Sequence, residues 1–362
     1  GLIYYGMPAE MTVSSKERGS IMVYSTAIGV VGTLGTVIVP LVYLGDVPDV
    51  DGFRTLMVIT GILAGTMIFI GSYFIKENRY TVMEESLGFV DSIKETFKNK
   101  PFLIAEVAIF ASTIMTQVIS GYFVFLFDYV VDVTINFLNA ILLVSLILIV
   151  GLSVYWLTNR IEEHGLKKLM MLGGVVSIIG FLILLSIGLG LDINQYNKMP
   201  FSLLFGPLVA VVFGFVGFML LSQPLMGDCI DYDEVLTGKR RETSYSGVNA
   251  LITKPAVSIG RALFLLILSW YGFQSAPGPG QPAPPPSQQL STVGTGVIIG
   301  FTLIPVFCLI IGLIALHWFP LEGEEWRKQK KKLERIHVQK EKDYLEHLKK
   351  LEEQGELSLD EE

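Results

Sequence analysis

From Phe137 to Leu157 the chain carries no charged side chain. A helix needs about 20 apolar residues to cross the hydrocarbon core of a bilayer, and this run meets that length. The apolar segments as a set fall at about 20–45, 54–75, 102–127, 135–157, 168–191, 201–225, 244–272 and 294–319. Continuous apolar runs do not fit the alternation of a membrane barrel. Inside hydrocarbon, a helix closes its own backbone hydrogen bonds within each segment. The sequence therefore predicts an all-α membrane protein with about eight complete spans. Composition agrees: 51% of residues are hydrophobic and 17% charged, against about 25% charged in a soluble domain. That balance excludes an ordinary soluble protein, a nucleic-acid binder and a disordered chain. Cys229 and Cys308 lie in or beside apolar stretches, and the four histidines are scattered. They supply neither a disulfide framework nor a metal cluster, and no cofactor is expected.

The charges are segregated, and their distribution sets the orientation. Lys16 and Arg18 precede the first span. Lys76, Arg79, Lys94, Lys98 and Lys100 lie between the second and third. Arg160, Lys167 and Lys168 follow the fourth, and Lys239, Arg240 and Arg241 follow the sixth. The alternate loops hold only Arg54 and Lys198. The basic loops and the C-terminus are thus expected in the cytoplasm of a multi-pass protein of the plasma membrane. The Pro- and Gly-rich loop at 273–293 is expected outside, as a flexible connector.

Segment 84–100 reads as an amphipathic link, with Leu87, Val90, Ile93 and Phe97 on one helix face. It divides the chain into four parts. Residues 1–75 hold the end of one helix and two further helices, and 76–100 form the link. Residues 101–319 form a six-helix group, and 320–362 a charged tail read as a solvated helix. Two six-helix halves joined by a long loop describe the major facilitator layout. The chain opens at Gly1 with Leu2-Ile3-Tyr4-Tyr5, the tail of an apolar segment already in progress. It is expected to be a fragment whose beginning precedes Gly1.

Charge inside a span is a functional signal by default. Lys254 and Arg261 lie seven residues apart, about two turns along one face, with Gly247, Ala250 and Ser258. Such a stripe faces a cavity, or a neighbouring helix on which a buried lysine meets a carboxylate. In the third stretch Glu106, Ser112, Thr113, Thr116, Gln117 and Ser120 share about half the circumference. That face lines an aqueous path or hydrogen-bonds a neighbouring helix. Glu106, close to the cytoplasmic end, is either part of that face or simply solvated.

The densest feature is Asp228-Cys229-Ile230-Asp231-Tyr232-Asp233-Glu234, followed by Lys239, Arg240, Arg241 and Glu242. Asp228 and Asp231 have the spacing that holds Mg²⁺ for a diphosphate substrate, as in an intramembrane prenyltransferase. Alternatively the acids pair with the following bases as a latch that opens and closes. A diphosphate enzyme needs a second aspartate cluster, and Asp46, Asp49 and Asp51 lie on the outer side. The residues favour the latch, made of Asp228, Asp231, Arg240, Arg241 and Glu242.

The run from Asp228 through Tyr232, Thr237, Gly238 and Glu242 to Tyr245, Gly247 and Lys254 resembles the glycoside–pentoside–hexuronide:cation symporter family. The opening Tyr4-Tyr5-Gly6-Met7-Pro8-Ala9-Glu10-Met11-Thr12 resembles that family's loop after the fourth helix, and Ser92 to Leu103 its central link. The resemblance runs from residue 2 to about 260. It implies a major facilitator fold of twelve helices and transport, not catalysis: symport of a small sugar or glycoside with Na⁺ or H⁺. It places Lys254 and Asn249 near the substrate and makes Asp228, Asp231 and Arg240 part of the cytoplasmic gate; the polar helix faces described above add Gln117, Thr113 and Arg261 to the expected cavity. The family's cation-binding carboxylates belong to helices that would precede Gly1, so no metal site is expected within this chain. Near Thr26 the chain departs from a basic residue of the family. The lysolipid-transporting branch shares the fold and the lysine, so a lysolipid or other amphiphile is the alternative substrate. The expected partners are the substrate and the lipid bilayer, with no nucleic acid.

Overall fold

A computed structural model describes residues 50–74, 89–132, 137–191, 198–239, 241–275, 284–285 and 288–353. The described chain is almost entirely helical. α1 is Val50–Phe74, α2 Phe89–Thr96, α3 Lys100–Phe125, α4 Phe137–His164, α5 Leu166–Gly190, α6 Phe201–Thr237, α7 Glu242–Trp270, α8 Thr292–His317 and α9 Gly323–Glu353. A π-helical turn, Leu126–Val130, extends α3. Beyond it a short parallel pairing joins β1, Val131–Asp132, to β2, Met199–Pro200. Among the described residues six helices are long and apolar enough to cross a membrane: α1, α3 with its π turn, α5, α6, α7 and α8. α4 contains the charge-free run from Phe137 to Leu157. The first apolar stretch, at about 20–45, lies outside the described residues, as do the loop charges before it.

One compact unit takes in the chain from Ser86 to Arg335, and a second includes α1 and the end of α9 from Ile336. In the second unit, α1 exposes apolar side chains along its whole length, from Met57 to Tyr73. Exposed apolar surface of that extent suits a helix whose surroundings are lipid or other helices.

Within the first unit, α5 and α6 pack most extensively on each other. Their seam is made of small residues, which lets the two backbones approach. A Cβ added at Gly214 would lie 2.1 Å from the Gly173 carbonyl oxygen and 2.5 Å from the Ser177 Cβ. At the same crossing the Ser177 hydroxyl donates to the Val211 carbonyl at 3.0 Å. α6 runs 37 residues with Pro207 and Pro224 inside it, well beyond what a bilayer core requires. It stops at Gly238, which takes the left-handed conformation (φ +70°) and returns its N–H to the Glu234 carbonyl at 2.8 Å.

α3 starts where Asn99 caps it, accepting from the Phe102 N–H at 3.1 Å, with Pro101 in the first turn. α3 and α7 then run side by side in the same direction. The Phe102 and Tyr245 rings meet edge to face at 4.9 Å. Further along, Gly260 abuts Gln117, and Gly121 abuts Phe264. The register is constant along the seam.

Candidate gate and membrane-depth residues

One end of the first unit, here the basic end, gathers the α4–α5 loop, the α6–α7 turn and the start of α9. Its acids are buried: Asp231 is 0% exposed, and Asp228, Asp233, Glu234 and Glu242 are nearly as enclosed. Buried charges persist only when paired, and all five are engaged. Arg241 forks onto Asp233, its Nε donating to Oδ2 at 2.8 Å and its Nη2 donating to Oδ1. Burial opposes the Arg241 charge, but the hydrogen bonds and the charge of Asp233 outweigh it, so the guanidinium holds its proton beyond the ordinary arginine range.

Asp228 is held differently. The Trp326 indole Nε1 donates to its Oδ2 at 3.1 Å, and the Lys330 ammonium donates to its Oδ1. The expected latch paired these acids with the bases of the adjoining loop. The structure keeps that pairing for Asp233 and Arg241 and brings the start of the tail to Asp228. The tail therefore departs from the solvated helix read from its composition. Trp326, Lys330 and Leu333 are buried on one stripe, spaced four and three residues apart as one face of a helix. Nearby contacts fasten the same region. Arg327 Nη2 donates to the Glu163 carbonyl at 3.0 Å, and Lys167 Nζ donates to the His317 and Phe319 carbonyls at 3.0 Å each. Glu322 faces Lys167 at 3.4 Å and Lys168 at 3.6 Å. Arg240 lies outside the described residues.

Asn99 was not singled out by the sequence reading, yet it ties three helices together. Besides capping α3, its Nδ2 donates to the Cys229 carbonyl of α6 at 3.0 Å and to the Tyr245 hydroxyl of α7 at 2.8 Å. The available signal was the cap pattern itself, a short polar side chain two residues before Pro101.

At membrane depth, Lys254 and Arg261 are both exposed on the surface of this unit. Arg261 Nε donates to Gln117 Oε1 at 3.3 Å, so these two expected cavity residues do come together. Thr113 and Thr116 bond back to their own helix, to the Ile109 and Ser112 carbonyls at 2.8 Å. Asn249 lies toward the opposite side of α7 from Lys254, on the α3 seam, and its buried Oδ1 has no hydrogen-bond donor among the described residues. For Glu106 the structure removes the solvated alternative: it is 3% exposed, and among the described residues neither carboxylate oxygen has a hydrogen-bond donor. Among the described residues no group of three or more His, Cys, Asp or Glu forms a metal-holding cluster.

Membrane-length helices with a charged, enclosed basic end define a multi-pass helical membrane protein. A family model described as MFS/sugar transport protein matches residues 2–323, and the chain belongs to that family. It is similar to the isoprimeverose transporter of Lactiplantibacillus pentosus, 26% identical over 274 residues, covering 73% of this chain and 54% of the relative. The chain thus spans about half the length of that relative. It is also similar to the uncharacterized symporter YnaJ of Bacillus subtilis (strain 168), 25% identical over 365 residues, covering 95% of this chain and 70% of the relative.

Proposed function

We propose that the complete protein is a secondary transporter that carries a sugar or glycoside across the plasma membrane together with Na⁺ or H⁺. The observation that carries this reading is the arrangement along α6 and α7. Buried acid–base contacts enclose the basic end, and Lys254 is exposed deeper along the same α7. Family membership and the sugar named for the isoprimeverose transporter support it, as does the word symporter in the name of the other relative.

In this reading the basic end and the C-terminus face the cytoplasm. A lysine at membrane depth is costly alone, and a carboxylate partner offsets that cost. An entering cation competes for the carboxylate, so its binding changes the field the substrate meets. Binding of both shifts the population toward the other access state, with the halves rocking about a central site. The Arg241–Asp233 fork and the Asp228–Trp326–Lys330 contacts are the closures that open in each cycle.

The test is cation-driven uptake by the complete protein reconstituted in vesicles. Lys254→Ala is expected to abolish coupled uptake while the protein still inserts in the membrane. Uptake at the parental rate would remove Lys254 from the mechanism. Competition by lysolipid and not by sugars would reassign the substrate class and leave the transport reading standing.

A further inference from the structure

Among the described residues, three buried oxygens in the α3–α7 region have no hydrogen-bond donor: both carboxylate oxygens of Glu106 and the Oδ1 of Asn249. The register of the seam brings their residues together. Phe102 opposes Tyr245, Gln117 opposes Gly260 and Gly121 opposes Phe264. One turn on from the first of these pairs, Glu106 and Asn249 stand at the same level, on the faces that their helices turn to each other. Glu106 lies within an enclosed interior, 3% exposed, between the buried Ala105 and Phe102 and the buried Ala108.

Unsatisfied buried acceptors are rare in native proteins, and each calls for an explanation. An ionised carboxylate enclosed without a donor is far more costly than an unpaired neutral group. The titratable groups around it do not relieve that cost. α6 contributes Asp228, Cys229 and Asp231, and the Cys229 thiol lies within electrostatic reach of Glu106, Asp228, Asp231 and Lys330. α7 contributes Tyr245, whose hydroxyl accepts from Asn99. Among the described residues, the cation that acts on Cys229 is Lys330 of α9, and it donates to Asp228. The group that removes the charge of an enclosed carboxylate most economically is a proton. A proton on one carboxyl oxygen turns it into a donor, and the Asn249 Oδ1 is an acceptor that lacks one.

We propose that Glu106 is a proton-binding residue in this half of the transporter, its carboxyl O–H directed to the Asn249 side-chain oxygen. The inference rests on the transport reading only for its use, since a proton taken up there would couple pH to movement at the basic end. Glu106 is the carboxyl, one turn inward from the Asn99–Tyr245–Phe102 knot that joins α3, α6 and α7. Gaining or losing its charge changes the electrostatics of the packed interior at which those three helices meet.

The experiment is infrared difference spectroscopy of the complete purified protein between acidic and alkaline pH, with Glu106→Gln and Asn249→Ala beside the parent. The parent is expected to show the carbonyl stretch of a protonated carboxyl in a dry environment. Glu106→Gln is expected to lose that band. Asn249→Ala, which keeps the carboxyl and removes its acceptor, is expected to move the band to the higher frequency of an unbonded acid. A parent without the band, or a Glu106→Gln protein that retains it, overturns the proposal. A band unmoved by Asn249→Ala overturns the pairing and still tests the carboxyl if the glutamine variant fails to fold. Uptake driven by a pH gradient separates the two readings. A parent that shows the band and no cation-driven uptake refutes the symport reading alone. A parent with proton-driven uptake and no band refutes the Glu106 site alone.

Discussion

Asn99 performs three tasks with one amide: it caps α3 with its oxygen and spends its nitrogen on α6 and α7. Losing an N-cap costs about 0.5–2 kcal/mol, and each buried hydrogen bond adds about 1 kcal/mol. Asn99→Ala is therefore expected to lower stability by roughly 2.5–4 kcal/mol, read as an earlier melting transition of the detergent-solubilised protein. Asp233 and Arg241 pose a sharper test, because their side chains are only 6% and 10% exposed. Removing one partner of a buried pair costs about 3–5 kcal/mol. Arg241→Ala alone should then cost more than the double change Asp233→Asn with Arg241→Gln. A denaturation cycle over these variants that proves additive would show the fork to be energetically idle. The sequence made the acids of α6 conspicuous through their density. It could not say that Asp228 belongs to Trp326 and Lys330, because that pairing spans about a hundred residues and follows no local pattern. Glu106 misled for a related reason: nearness to a helix end suggested water, whereas packing by α6 and α7 encloses it.

Helices were legible where composition alone decides them. α4, α5 and α8 follow from apolar length, whereas the start of α3 at Asn99 and Pro101 and the stop of α6 at Gly238 carry cap signals that apolar length does not use. Contacts between helices were not legible, because they depend on which small residue meets which. Gly214 and Gly206 sit in the same helix and differ wholly in surroundings: a Cβ at Gly206 meets nothing within 4 Å. Gly214→Ala is expected to force α5 and α6 apart at a cost of about 1–3 kcal/mol, while Gly206→Ala leaves the melting transition of the purified protein unchanged or slightly raised. Equal behaviour of the two would contradict the seam. At the basic end, the Trp326–Lys330–Leu333 stripe is the buried part of the α9 anchor, beside the exposed Arg327–Glu163 contact, so Trp326→Ala combined with Lys330→Ala is expected to free its first turns. Trypsin should then cleave among Arg327, Lys328, Lys331 and Lys332 markedly faster than in the parent. Cleavage at the parental rate would show that other contacts hold the tail.

Across the whole molecule, the loop charges and the eight apolar stretches outlined a multi-pass helical protein before any contact was known, and the family match agrees with that outline. The amphipathic link was only partly legible: α2 forms, but Phe97 is 45% exposed and so does not continue a buried face. Large features were read well because the bilayer imposes them on each segment separately. The polar interior was read poorly because it is assembled from helices far apart in the chain. That separation has a consequence for how the protein is made. Asn99 meets Tyr245 across 146 residues of sequence, and a ribosome adds roughly 5–20 residues per second. For on the order of ten to thirty seconds, then, a newly inserted α3 holds Asn99, Glu106 and Gln117 in the membrane before α7 exists to cover them. Polar groups facing lipid are strongly disfavoured, so this helix must wait either at the insertion machinery or against a chaperone. The half-made chain is thus the most vulnerable form of the protein, and quality control has its longest opportunity between the emergence of α3 and the arrival of α7.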